Sequence, residues 1–434
     1  MTMTAAATAQ ALTGQLLLED ATPAELSRMA LVESVLPALA ANAADADVEG
    51  RFHLPHVKTL SEAGLLGLVV PQEFGGLGGG LRDLTAATFA MGTACPSTAL
   101  AYFFHCSSAS RGLLAIEALD AGLFDDDEAP VVRAFADKVL NLMGRDGLWL
   151  ANFASESVKS SKAKITIATE ATRTDGGWLL NGVKAFGCAT GVADTYLVTA
   201  KLADVEGGDA LCVFLVPRDA EGVSERAKWD ALGMRATATH GIILKDVFVA
   251  DDDALTIPGA FVRMMQVSRG SFVGAQVAGT SVYLGAAQSV FSEAVSQLTT
   301  KTFADTGESL ASASPMHQRL IGDMLAELEA GYLWLRRQVW MESTEPAPKA
   351  KDDVIRTWRL TKGSVAEHAN AVALLALKAC GTSATGNRGI IARGLRDTSM
   401  GLVQAFPSER GRLEAAAMIV TGAEGTQFGT KGNA

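Results

Sequence analysis

"LGLVVPQEFGGLGGG" (residues 66–80) sets five glycines, Gly75, Gly76, Gly78, Gly79 and Gly80, behind a short apolar run. A phosphate-cradling loop needs a strand before it, a helix after it and, in the P-loop form, a Lys-Ser/Thr pair at its end. Here Leu81, Arg82 and Asp83 follow, and no β-α-β pattern surrounds the loop, so the glycines read as a turn between helices. Upstream, "ATPAEL" places Thr22 as an N-cap, Pro23 at the first helical position and Glu25 three residues after the cap. Apolar residues recur at helical spacing through Leu26, Met29, Ala30 and Val32. A second helix is predicted over "HVKTLSEAG", stopped by Gly64. Downstream, the stretch from Leu84 to Leu119 is mostly helix-forming, with Gly92 and Pro96 as punctuation.

Near Trp149 the period changes. "KITIATEA" alternates like a half-buried strand, "TDGG" and "NG" are turn signals, and "TYLVTA", "ALCVFLVP" and "GIILKDVFV" supply β-rich runs. From Pro258 the helical pattern returns in long segments, the first of which holds no proline and carries Gly270, Gly274, Ala275 and Gly279, small enough to admit a neighbouring helix. The expected fold is therefore α+β. It has an N-terminal α-helical domain over residues 1–148, a central antiparallel, barrel-like β domain over 149–257 and a C-terminal four-helix bundle over 258–434.

Composition narrows the function. With 434 residues the chain exceeds one ordinary core. A formal net charge of -11 and the lack of a long basic run argue against nucleic acid as a partner. Cys95, Cys106, Cys188, Cys212 and Cys380 form no C-x-x-C pair, and His53, His56, His105, His240, His317 and His368 have no metal-ligand spacing. The first residues lack the basic and apolar parts of a signal peptide, and no apolar run reaches the ~18 residues of a membrane span. A cytoplasmic enzyme is expected.

Several stretches together resemble the acyl-CoA dehydrogenase superfamily. "LSEAGLLGLVVPQEFGGLGGGLRDL" is similar to its amino-terminal signature, "GGWLLNGVKAFGCATGVADTYLVTAKL" to its central β segment, "WDALGMRATATHGIILKDVFVADDDAL" to the end of its β domain and "ARGLRDTSMG" to its Arg-x-x-Arg-Asp element. The resemblance implies a flavin, FAD with FMN as the alternative, at the junction of the β domain and the carboxyl-terminal bundle, in a homo-oligomer, dimer or tetramer. It implies that "ANFASESVKSS" runs along the flavin ring, with Asn152, Ala154 and Ser155 beside it and Ser161 at the pyrophosphate. Phe186 takes the place of an aromatic flanking the ring, and Cys188 stands where a threonine is common. Phe303, Gln318, Lys378 and Gly381 match further cofactor contacts, some made across a subunit interface, while Thr300 replaces a frequent arginine. Arg269 matches an arginine near the substrate's pantetheine.

One expected part is missing. Removal of an α proton needs a carboxylate beside Cα. The two positions that carry it in the family fall on Ala405 and Ser268. Glu409 is the nearest acid, but after Ser408, a candidate N-cap, it reads as a first-turn helix carboxylate. Three readings follow. The first is a dehydrogenase of acyl thioesters, reoxidised by an electron-transfer flavoprotein, with its base elsewhere. The second is a monooxygenase like dibenzothiophene monooxygenase or the nitrososynthases, supplied by a flavin reductase, whose pocket positions match Asn152, Ser155 and His105. The third is a non-catalytic partner subunit. His105, Ser155 and Glu409 are the catalytic candidates, although a histidine among the aromatics of "AYFFHCSSA" is more commonly a core residue.

Overall fold

The computed structural model describes residue 17 and residues 20–157, 167–269 and 276–422. Helix α1 (Pro23–Ala41) begins at the expected capping box: the Glu25 N–H donates to Thr22 Oγ1 at 3.3 Å, and the Thr22 N–H donates to Glu25 Oε2 at 2.8 Å. Then come α2 (Ala43–Glu49), which no side-chain cap announces, and α3 (Pro55–Glu62), followed by Gly64 at φ 71°.

The glycine stretch folds back on itself. Leu77, Gly78 and Gly79 donate their N–H groups to the carbonyls of Gly67, Val70 and Leu68 at 2.8–2.9 Å. A Cβ on Gly76 would lie 2.1 Å from the Val70 carbonyl oxygen, so only glycine permits this contact. These donors are engaged within the loop, which is a structural turn.

The loop leads into α4 (Leu81–Ala94), α5 (Pro96–Ser108), α6 (Ser110–Asp120) and α7 (Ala129–Gly144). Gly92 does not punctuate α4, as its sequence position suggested. It lies inside the helix, where a Cβ would stand 2.6 Å from the Val282 carbonyl oxygen.

The strands are β1 (Leu150–Phe153), β2 (Glu170–Thr174), β3 (Gly177–Lys184), β4 (Thr195–Leu202), β5 (Leu211–Pro217), β6 (Val223–Glu225), β7 (Ile242–Ala250) and β8 (Ala254–Leu255). The strand predicted over "KITIATEA" begins only at Glu170, and residues 158–166 lie outside the described residues. The sheet runs β6-β7-β3-β2-β4-β5-β8, with β1 also on β4. Most pairs are antiparallel as expected, but β1 and β2 both pair with β4 in parallel. Asn152 thereby sits opposite Leu197.

The carboxyl-terminal region holds α8 (Ala260–Val267), α9 (Gln276–Thr300), α10 (Leu310–Ala313), α11 (Pro315–Ser343), α12 (Lys351–Cys380), α13 (Ile390–Gly401) and α14 (Ser408–Val420). The proline-free segment from Arg263 is not one helix: Ser268 turns to extended backbone (φ -60°, ψ 133°) and ends α8. Of the small-residue stripe, Gly270, Gly274 and Ala275 lie outside the described residues, and Gly279 faces the Phe103 ring. Helices α4 and α9 approach closely through glycine, where Gly92 meets Val282 and a Cβ on Gly285 would lie 2.2 Å from the Phe89 carbonyl oxygen. One apolar core runs through all three parts, from Leu17 to Phe406. Among the described residues no helix is long and apolar enough to cross a membrane.

Candidate functional site

The end of β1 and the end of β3 meet at a buried ion pair. Lys184 Nζ donates to Glu156 Oε1 at 2.5 Å, and the side chains are 0% and 2% exposed. Glu156 also accepts the Ala168 N–H at 2.6 Å, the Thr169 N–H at 3.1 Å and the Thr169 hydroxyl at 2.7 Å. Burial works against its charged form, but Lys184 and these donors outweigh it and hold the carboxyl below its ordinary value. The Ala185 N–H donates to the Ser155 carbonyl at 2.9 Å, so the two segments run side by side. Sequence reading passed over Glu156 and Lys184, although both lie inside stretches it quoted.

Around this post stand the residues assigned to the ring of a cofactor. Asn152 Oδ1 is buried without a partner among the described residues, Ala154 is half-buried and Ser155 is exposed. Phe186 follows β3 and is 49% exposed. A Cβ on Gly187 would lie 2.3 Å from the Phe153 ring, so the chain passes close against β1 before Cys188. Cys188 is buried, its Sγ 3.0 Å from Thr239 Oγ1, and burial pushes the thiol up to about 12, so it stays neutral. A buried acceptor on β1 and an exposed aromatic after β3, on two segments joined at Ser155 and Ala185, suit a flat, hydrogen-bonding group such as an isoalloxazine.

Two residues that the sequence reading did not single out extend this face. Trp229 packs edge-on to Phe186 at 5.3 Å, and the Arg226 guanidinium lies 5.6 Å from the Phe186 ring centre. Trp229 is fixed from both sides: its N–H donates to His240 Nδ1 at 2.8 Å and its indole N–H to the Met234 carbonyl at 3.0 Å. The quoted "WDALGMR" segment contained the tryptophan, but only folding brings it to Phe186.

All three parts of the chain join next to this face. Asp397 Oδ1 accepts the Met234 N–H at 2.6 Å, and burial pushes its carboxyl up to about 6. Its neighbour Arg396 donates to both Asp47 oxygens at 2.9 and 2.5 Å, while Arg235 Nε donates to the Asp47 carbonyl at 3.0 Å. From Met234 a chain of hydroxyls, Thr237 and Thr239, leads to Cys188. Tyr283 on α9 lies against Gly401 with its hydroxyl buried and without a partner among the described residues.

The base positions carry no acid. Ala405 occupies the turn after α13 at φ 64°, and the turn is clamped by buried Lys362, whose Nζ donates to the Gly401 carbonyl at 2.8 Å and the Phe406 carbonyl at 2.5 Å. Ser268 caps α8. Glu409 is exposed in the first turn of α14, with the Ser408 hydroxyl 3.3 Å away. Ser408 itself is not the N-cap. It is the first helical residue, and its hydroxyl donates to Glu367 at 2.5 Å.

His105 has no free nitrogen. The Leu150 N–H donates to Nδ1 at 3.0 Å, which leaves Nε2–H to donate to the Leu66 carbonyl at 2.8 Å. It is fully buried beside Trp149, and burial lowers its pKa to about 4. This geometry makes His105 a neutral cross-brace between α5, β1 and the glycine loop.

The remaining assigned residues lie elsewhere. Phe303, Gln318, Lys378 and Gly381 collect at one end of the bundle, all at the surface, where Lys301 Nζ donates to Ser383 at 2.9 Å. Arg269 pairs with Glu345 at 2.5 Å and donates to the Thr344 carbonyl at 3.1 Å, tying the end of α8 to the end of α11. Ser161 lies outside the described residues.

Residues 25–116, 151–247 and 278–406 match the family models of the acyl-CoA dehydrogenase N-terminal, middle and C-terminal domains. L-evernosamine nitrososynthase of Micromonospora sp. is 32% identical over 270 residues, 62% of this chain and 60% of that protein. The chain thus spans about three-fifths of that curated relative. The crystal structure of a nitrososynthase from Micromonospora carbonacea var. africana has a TM-score of 0.75 at 25% identity, covering 92% of this chain and 97% of that one. FMN-bound TdsC from Paenibacillus sp. A11-2 has a TM-score of 0.78 at 20% identity, covering 93% and 100%, a likeness of fold.

Proposed function

The chain belongs to the acyl-CoA dehydrogenase family, and from that premise we propose that it is a flavin-dependent monooxygenase that oxygenates a small-molecule amine. The observation that carries this reading is the lack of a carboxylate at Ala405 and Ser268, with Glu409 exposed. Abstraction of an α proton has no group to perform it there, whereas attack of an amine lone pair on activated oxygen asks for none. The likeness to nitrososynthase supports an amine nitrogen as the acceptor.

The residues fit a flavin. Asn152 would offer its unsatisfied carbonyl oxygen to the ring, Ser155 a hydroxyl, and Phe186 with Trp229 an aromatic wall. Glu156 and Lys184 hold the two segments together, and Cys188, neutral and turned to Thr239, would leave the ring edge with a weaker partner than a threonine. When bound, reduced FAD or FMN supplies two electrons to dioxygen, so that one oxygen atom goes to the amine nitrogen and the other leaves as water. A flavin reductase would deliver the reduced cofactor. The surface group Phe303, Gln318, Lys378 and Gly381 would serve the cofactor of a second copy.

The test mixes protein and reduced FMN with oxygen and a panel of primary amines, and follows gain of one oxygen atom by mass spectrometry. Oxygenated amine, together with no anaerobic bleaching of the oxidised flavin by any acyl-CoA, is expected. Bleaching by an acyl-CoA would establish the dehydrogenase instead, and silence in both, with a related chain copurifying, would mark a partner subunit.

A further inference from the structure

Arg111 in the first turn of α6 is 2% exposed, yet no carboxylate faces it among the described residues. NH1 donates to the Ser110 hydroxyl at 3.2 Å, Nε is buried without a partner, and the guanidinium carbon lies 5.3 Å from the Phe261 ring centre on α8. Arg359, buried to the same degree, is by contrast paired with Glu414 at 3.1 Å. Burial alone lowers the pKa of Arg111, to about 9, with no neighbouring charge contributing. A buried guanidinium without a counter-ion costs several kcal/mol. An oxyanion is the partner whose geometry matches its free donors, because a carboxylate or phosphate accepts two parallel N–H groups of the fork.

Arg269 flanks the same helix contact. It follows α8 and lies close enough to α6 for its charge to oppose the burial that raises the Glu117 carboxyl. Phe261 and Arg269 thus bring the two ends of the α8 segment to α6, one beside Arg111 and the other beside Glu117.

We propose that Arg111 is an oxyanion-binding residue that receives a carboxylate or phosphate group between α6 and α8. This stands on the geometry of Arg111 alone and goes beyond the proposed function.

The experiment titrates the full chain with acetate and with inorganic phosphate at ionic strength matched by chloride, following the thermal midpoint. A saturable rise of a few degrees in acetate, phosphate or both is expected, acetate alone pointing to a carboxylate and phosphate alone to a phosphoryl group. Arg111→Met is expected to melt no lower than the native chain and to show no anion response. Arg111→Lys, keeping the charge without the fork, should raise the half-saturating concentration at least about tenfold. A native chain no more stable in either anion than in chloride overturns the proposal, as does an unchanged response in Arg111→Met. If that variant does not fold, the native titration and Arg111→Lys still decide. Neither arm reads turnover, so anion saturation without amine oxygenation keeps the Arg111 site and overturns only the proposed function.

Discussion

Lys184 and Glu156 form an ion pair at 2.5 Å with both side chains buried, between the last residue of β3 and the segment that leaves β1. Removing one member strands the other charge in the interior. Lys184→Met is therefore expected to destabilise by about 3–5 kcal/mol in urea unfolding. Glu156→Gln should cost less, because the amide oxygen can still face Lys184 and accept the Thr169 N–H, although the Ala168 N–H loses its acceptor. The carboxyl of Glu156 is held below its ordinary value, so its contribution is present above the unfolded pKa and fades as pH falls through the folded one. The difference between native chain and Glu156→Gln should accordingly shrink on acidification below about pH 4. A difference constant with pH would show that Glu156 acts only by its shape.

His105 reverses that dependence on charge. Its folded pKa of about 4 lies below 6.5, so the unfolded chain takes up the proton first as pH falls. Stability is expected to be complete above pH 6.5 and to decline from there towards pH 4, with a slope from this group of at most about 1.4 kcal/mol per pH unit. His56, also lowered to about 4, adds to the same window. Unfolding free energies of the native chain and His105→Gln across pH 4–7 check this: the variant should be less stable at neutral pH and flatter with pH.

Asp397 is shifted the other way, up to about 6 by burial. A carboxyl whose folded pKa is raised favours the fold fully below its unfolded pKa, and that benefit is lost as pH rises through the folded value. Asp397→Asn should keep the acceptor for the Met234 N–H and be nearly neutral at pH 7. Asp397→Ala should cost about 1–3 kcal/mol by leaving that donor unpaired. Equal losses in the two variants, measured by urea unfolding, would show that the charge facing Arg393 and Arg396 matters more than the hydrogen bond.

Ala405 holds φ at 64°, where a Cβ is strained. Ala405→Gly is expected to stabilise by about 1 kcal/mol, read as a higher unfolding midpoint. A lower midpoint would show that the Cβ contributes packing that outweighs the strain.

The site was legible in the sequence only where its residues sit in runs that interact along the chain. The capping box of Thr22 and Glu25 and the glycine turn closed by Leu77, Gly78 and Gly79 were readable because each depends on partners a few residues away. The missing base was readable for a different reason: the Arg-Asp element gives a fixed count to Ala405. His105 was not readable as a brace, since its two backbone partners, Leu66 and Leu150, stand 39 and 45 residues off.

Helix, strand and helix in that order, the turn chemistry and the absence of an acid at the base positions were thus settled by the order of residues, through interactions shorter than a few turns of chain. The pairing of Phe186 with Trp229, the bond from Met234 to Asp397 across 163 residues and the burial of Arg111 with no carboxylate partner among the described residues were decided by tertiary structure. Such contacts depend on how twisted strands and packed helices cross, and burial then determines which charges find partners, a property that no local stretch of sequence carries.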